Sequence, residues 1–405
     1  MSSRNLKEKL TLAPVGLEHL DQFIKLQRYV FQVTNEELQK SGYEEGELVR
    51  SKKPMLERGD VFGWFNDGEL ISQVCTYPCQ VNIHNKVFNM GGLTGVGTYP
   101  EYTGMGLMNT LIRTALRKMR ERKQWISYLY PYIIPYYRRK GWEIMSDHIT
   151  YRIKDTQLPV RVEVPGYVER RAIDHPDVIN TYDKFARQTH GALIRGPLDW
   201  NEYWRWENED ERIAAVYCKE SGEPTGYVMY WIEDDIFHIK EMIYLDQETR
   251  RGLWNFIGAH FSMIDAIEGH IYKNEPLAFY LEDSQIVENI EPYYMARIVD
   301  VEAFLVNFPF TDFYLPFHFV LTDPLVEWNN GIFGVTGVNN GLNIVTREPA
   351  GQPVTTDIGT LTSMLMNYRR PTYFHELEHL STDPDTLILL ENIVPVRQPY
   401  FSDYY

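Results

Sequence analysis

Three cysteines in 405 residues leave little for covalent cross-linking. Two of them frame the segment Cys75-Thr-Tyr-Pro-Cys79, with no second pair and no nearby histidine cluster. Neither a zinc site nor a disulfide framework is expected, and free thiols in a reducing cytoplasm are the reading. Long hydrophobic runs are lacking too. No stretch of ~20 residues is uninterruptedly apolar, and Met1–Leu20 mixes charges of both signs without an apolar segment. A soluble, cytoplasmic chain is expected. Basic charge is scarce: 40 Lys and Arg stand against 56 Asp and Glu, for a net charge of -16. Nucleic acids and anionic membranes both reward basic patches, so neither is expected as a partner. An acidic surface serves solubility, and it also attracts cationic substrates.

What the chain does have is apolar and aromatic mass. Apolar residues make up 44% of it and aromatics 14%, including 28 Tyr, which suits rigid amphipathic walls around pockets. At roughly 100–200 residues per domain, its length suggests three domains. Residues 17–53 show helical periodicity, with Phe23, Leu26, Tyr29 and Val30 at helical spacing. From Val61 the period changes to strand and turn, with Asn66-Asp67-Gly68 and His84-Asn85 as hairpin turns. A helix is predicted from Gly106, with Leu107, Met108, Leu111, Ile112, Ala115, Leu116 and Met119 as one stripe. Residues 155–165 read as a linker. Beyond it the order strands, strand, helix repeats, and Gly106-Leu107-Met108-Asn109 matches Gly252-Leu253-Trp254-Asn255 as the opening of equivalent helices. In the last unit Asn329-Asn330-Gly331 is a hairpin signal, and residues 358–368 read as a helix.

The chemistry-bearing stretch runs from Gly92 to Trp142. Gly95-Val96-Gly97-Thr98 is a glycine-interrupted strand, and Thr103-Gly104-Met105-Gly106-Leu107 leads into the helix. Glycines let a backbone approach a ligand, and the amides of a helix N-terminus, with its dipole, suit a pyrophosphate. Glycines 95 and 97 favour a bulge, whose freed backbone groups can pair with an amide-bearing ligand such as a pantetheine arm. Then comes Tyr136-Tyr137-Arg138-Arg139-Lys140-Gly141-Trp142, an aromatic-Tyr-x-x-x-Gly-aromatic segment following a strand.

This order resembles the GCN5-related N-acetyltransferase (GNAT) superfamily. With its second GNAT-like unit and its last α+β unit, the chain resembles the enhanced intracellular survival (Eis) family over nearly its whole length. The resemblance implies an α+β fold: tandem GNAT-like domains, each a mixed sheet flanked by helices, and a sterol-carrier-protein-like domain. The expected boundaries are 1–155 for the GNAT domain, 156–290 for a degenerate GNAT-like domain and 291–405 for the third domain. The implied activity is acetyl-CoA-dependent N-acetyl transfer, by direct attack, to a primary amine of a cationic, aminoglycoside-like small molecule or of a lysine side chain. Val96, Gly97 and Thr98 would hold the pantetheine arm, and Gly104, Met105, Gly106, Leu107, Met108 and Asn109 the phosphates. Tyr132 and Ile133 match a further cofactor-binding pair. Tyr137 matches the general acid, and the carboxylate of Tyr405 the general base. No metal is implied, and a homo-oligomer, a hexamer in that family, is.

One departure stands out. Family loops often carry arginines before the glycine, where this chain has Thr103, Gly104 and Met105. Arg113 and Arg138 are candidates to replace them. In the second unit, Arg250-Arg251-Gly252 is followed by no tyrosine motif, so that unit reads as structural. Tandem GNAT-like units also occur in N-myristoyltransferases and in peptidyltransferases that use aminoacyl-tRNA; the acidic balance disfavours tRNA. The remaining alternative is a catalytically inactive GNAT-like protein that binds a lipid or another ligand.

Overall fold

Left-handed two-residue turns set the register of the first sheet. Asp67 and Gly68 (φ 47° and 86°) join β2 (Asp60–Asn66) to β3 (Glu69–Ile83), and His84 and Asn85 (φ 48° and 69°) join β3 to β4 (Lys86–Thr98). Both turns lie where the sequence predicts them. The fold is seen in a computed structural model that describes residues 9–36, 46–205, 213–271, 277–311 and 315–403.

Before β2 come β1 (Thr11–Pro14) and helix α1 (Leu20–Val30). After β4 come α2 (Leu107–Glu121), β5 (Ile126–Leu129), the short α3 (Ile134–Arg138) and β6 (Glu143–Lys154). The second unit supplies β7 (Tyr167–Arg171), α4 (Pro176–Gln188), β8 (Ile213–Cys218), β9 (Pro224–Glu233), β10 (Ile236–Tyr244), α5 (Gln247–Gly258), β11 (Ala266–Ile271) and β12 (Val287–Ile298). These strands form one twelve-stranded sheet, in the order β1-β2-β3-β4-β5-β12-β6-β11-β10-β9-β8-β7. Its two parallel pairings are β4 with β5 and β10 with β11, one in each unit. The insertion of β12 between β5 and β6 was not expected. It runs antiparallel to both, so a strand that follows the second unit completes the sheet of the first. The boundary drawn at residue 290 falls inside this strand.

The third unit is a five-stranded sheet ordered β15 (Leu342–Thr346), β14 (Gly331–Asn339), β13 (Phe317–Thr322), β16 (Gln352–Asp357), β17 (Leu380–Ser381). Its fully buried helix α6 (Ile358–Leu365) packs back on the large sheet. Ser363 Oγ donates to the Ile144 carbonyl at 2.8 Å, and Ile298 N–H donates to Thr362 Oγ1 at 3.0 Å. A joint of two histidines ties the three units together. His84, in the β3–β4 turn, stacks on His190 with ring centroids 3.7 Å apart. Their Nε2 atoms donate to the carbonyls of Leu365 (2.9 Å) and Met366 (2.8 Å), and the His84 backbone N–H donates to His190 Nδ1.

Three local expectations are corrected. Gly252 does not open a helix: α5 starts at Gln247, capped by Asp246, so its glycine lies mid-helix while Gly106 is a true N-cap. A Cβ at Gly252 would meet the Tyr217 ring at 2.1 Å, which explains the small residue without any ligand. Asn329-Asn330-Gly331 is not a hairpin turn; Glu327–Asn329 forms a short 3-10 turn and β14 begins at Gly331. The two-residue turn is Asn340-Gly341, with φ 51° and 76°. The 155–165 linker is partly tied down, since Val162 and the Asn255 side chain exchange two hydrogen bonds.

Candidate active site

Strands β4 and β5 pair only from Met90↔Ile126 to Gly92↔Tyr128 and then part. Within the parted stretch, β4 carries the expected bulge. Gln73 faces Gly97 and Cys75 faces Thr94, so Gly95 (φ 60°) and Val96 together oppose Val74. The edge of β4 from Gly95 to Thr98 therefore has no strand partner on the β5 side among the described residues. A cavity of about 760 Å³ opens there.

One end of the cavity is the start of α2. Gly106 occupies the N-cap in left-handed backbone (φ 74°), a conformation costly for any residue with a Cβ. Buried Leu107, Leu111, Ile112, Ala115, Leu116 and Met119 seat the helix, and Trp64 Nε1 donates to the Leu107 carbonyl at 3.1 Å. The free amides and dipole of this fifteen-residue helix are thus aimed at the cavity. Val96, Gly97, Thr98, Gly104, Gly106, Leu107, Met108 and Asn109 all line it, as do Tyr132 and Ile133 at its exposed mouth. Met105 is not in the lining; it packs beside Leu10, Ile71 and Leu107.

Tyr137 lies on α3 and lines the cavity while only 7% exposed. Burial pushes its hydroxyl pKa above the ordinary 10, and Tyr136 adds in the same direction. The hydroxyl stays protonated at any physiological pH. Neither arginine expected to replace the missing loop charges lines the cavity. Arg113 Nε donates to the Leu325 carbonyl at 2.9 Å, and Arg138 grips the Glu143 carboxylate with two nitrogens at 2.8 and 2.9 Å. The cations lining the cavity are Arg139 and Lys140, which follow Arg138 in the chain. Lys140 Nζ sits 3.5 Å from the Tyr136 ring centre, and burial, then Arg139, lowers its pKa.

Sequence reasoning also missed Tyr294, which reaches the cavity from β12. Its hydroxyl donates to the backbone carbonyl of Asp403 at 2.5 Å, and Phe401 packs against Tyr294 and Tyr128 at 4.3 and 5.3 Å. The buried Asp403 carboxylate accepts from Arg195 Nε at 2.5 Å, and Arg195 also binds Glu241 at 2.7 Å. Residues 401–403 are therefore docked against the cavity wall. Tyr405 lies outside the described residues.

Comparisons with known proteins follow the same division. A model of an acetyltransferase (GNAT) domain matches residues 12–145, and a second acetyltransferase (GNAT) model matches 191–298. A sterol carrier protein domain model matches 301–402. The chain belongs to the GNAT acetyltransferases, in the Eis-like arrangement. It is an enzyme of that class, with an α+β fold of tandem GNAT domains and a sterol-carrier-protein-like domain. A probable N-acyltransferase from Enterococcus faecalis V583 is similar to it at 26% identity and TM-score 0.87, with 98% of this GNAT chain and 99% of the other covered. A GCN5-related N-acetyltransferase from Anabaena variabilis shares the fold at 21% identity and TM-score 0.85, over 98% and 100% of the two chains. Eis1 from Mycobacterium abscessus does so at 18% identity and TM-score 0.79, over 98% and 100%. A comparison with curated proteins found no match. Among the described residues of this GNAT protein, no helix is long and apolar enough to cross a membrane.

Proposed function

We propose that the chain transfers an acetyl group from acetyl-CoA to a primary amine of a cationic small molecule or a lysine side chain. The observation that carries this reading is the cavity where β4 and β5 part, with the bulged strand, the N-terminus of α2 and buried Tyr137 on one wall system. The pantetheine arm pairs with the open edge at Val96–Thr98, and the pyrophosphate meets the amides from Gly104 to Asn109. Arg139 and Lys140 supply the charge that the loop lacks. The net charge of -16 favours a cationic acceptor.

The amine nitrogen attacks the acetyl carbonyl carbon, polarised by backbone amide near Val96, and the carbon–sulfur bond breaks. Tyr137 donates its proton to the departing thiolate. Burial makes that phenol a weaker acid, and burial of the thiolate in the same cavity raises its proton affinity in the same sense. The proton lost by the ammonium before attack goes to the carboxylate of Tyr405, directly or through water, and the second proton, lost from the nitrogen after attack, restores the Tyr137 hydroxyl. What supports that role is the docking of residues 401–403 on Tyr294, a cavity residue. A homo-oligomer, a hexamer by family resemblance, belongs to the same reading and is tested by light scattering.

The deciding experiment replaces Tyr137 with Phe and follows CoA release with a thiol reagent. Acetyl-CoA is the donor, and an aminoglycoside and a lysine-containing peptide are the amine probes. Folding and acetyl-CoA binding should persist while kcat falls about 100-fold. Unchanged kcat removes Tyr137 from the mechanism.

A further inference from the structure

Among the contacts of the third unit behind the active site, one runs through a buried arginine. Arg297, on β12, is fully buried. Its Nη1 donates to the Lys140 carbonyl, its Nη2 to the Asp323 carboxylate, and its guanidinium carbon lies 5.2 Å from the centre of the Trp142 ring. Asp323 comes from the third unit, just after β13. Its other oxygen accepts from the amides of Leu325 (2.8 Å) and Val326 (3.1 Å), and Asn329 Nδ2 donates to the oxygen shared with Arg297 at 3.0 Å. The carboxylate is fixed from several sides.

What Arg297 grips is the turn that ends α3. Within it, the amides of Lys140 and Trp142 both donate to the Tyr137 carbonyl, at 2.9 and 3.2 Å, and Gly141 N–H donates to the Arg138 carbonyl at 2.9 Å. Gly141 takes the left-handed conformation at φ 84°, and a Cβ there would lie 2.0 Å from Arg297 Nη1. The glycine of the tyrosine motif is thus required twice, by the turn and by the arginine behind it. Stability alone does not account for this pair, because an apolar replacement of a buried ion pair is often as stable or more so. Two directional donors on one rigid fork do account for a fixed geometry.

We infer that Arg297 and Asp323 are positioning residues: Asp323 of the third unit fixes Arg297, which fixes the 138–142 turn and so places the Tyr137 hydroxyl in the cavity. This rests on the reading of Tyr137 as the proton donor. Asp323 of the sterol-carrier-protein-like unit thereby acts on the chemistry without itself touching substrate.

The test is a double-mutant cycle on the full chain. Arg297→Lys and Asp323→Asn are made alone and with Tyr137→Phe, each checked for cooperative unfolding and for acetyl-CoA binding by calorimetry. Arg297→Lys keeps the buried charge beside Asp323 and gives up the fork, so it carries the test where Asp323→Asn does not fold. Alone, each should lower kcat by roughly 10- to 100-fold with acetyl-CoA still bound, since small displacements of a catalytic group cost that much. In the Tyr137→Phe background neither should lower kcat further. Unchanged kcat in the single variants, or losses that multiply with that of Tyr137→Phe, overturn the inference alone. Unchanged kcat in Tyr137→Phe by itself overturns the reading of Tyr137 and takes this inference with it.

Discussion

Acid should weaken the histidine joint. Burial lowers the pKa of His84 from 6.5 to about 4, against the weaker opposing effect of its bond to the Leu365 carbonyl. Burial lowers His190 well below 6.5 too, and the adjacent His84 adds to it. Both imidazoles are neutral in the folded chain and gain protons more readily once unfolded. Their contribution is therefore complete above pH 6.5 and is lost as pH falls toward 4. For His84 the loss by pH 5 is ~2 kcal/mol, and His190 loses stability in the same direction. The His84 loss alone is a large share of an ordinary domain's stability of about 5–15 kcal/mol. Urea unfolding at pH 7.5 and pH 5 measures it. His84→Gln keeps a donor for the Leu365 carbonyl and removes one titration. Other groups titrate in the same window, Asp199 among them with a pKa raised by burial to about 6. The difference between the two proteins isolates His84. The variant should lose ~2 kcal/mol less than the parent between these pH values. Equal losses in both would refute the reasoning.

Gly106→Glu places a side chain in left-handed backbone and a negative charge at the start of α2; calorimetry should show acetyl-CoA binding lost, and surviving binding would mean the cradle is misplaced. Arg139→Gln and Lys140→Gln each remove one cation from the cavity and should raise KM for acetyl-CoA about tenfold with kcat held, the scale of one charge-assisted hydrogen bond. A short peptide appended after Tyr405 turns its carboxylate into an amide, so acetyl transfer should collapse while acetyl-CoA still binds; a tagged protein with full turnover sends the search for the base elsewhere.

The elements legible in the sequence are those written in contiguous residues. The turns at 67–68 and 84–85, the bulge announced by Gly95 and Gly97, and the stripe of α2 are all local patterns, and the cavity is built from them. The charges were misassigned because sequence shows a residue's type and not its partner. Arg113 and Arg138 were equally available on paper, and Leu325 and Glu143 had already claimed them. Tyr294 was invisible for a different reason: it reaches the cavity only through the pairing of β12 with β5 and β6, which no periodicity encodes. The misread Gly252 shows the limit of letter matching. Four similar residues stand at the start of one helix and in the middle of another.

The return of β12 has a consequence for how the protein is made. Ile298 must find Ile126, and Met295 must find Leu129, across the whole second unit. Contacts so distant in sequence are slow to close, because the loop entropy is spent before the pairing rewards it. On the ribosome, a nascent chain that ends before residue 287 holds β5 and β6 with the strand between them still missing. The sheet of the N-terminal third thus waits, with an open seam, for the rest of the chain to arrive.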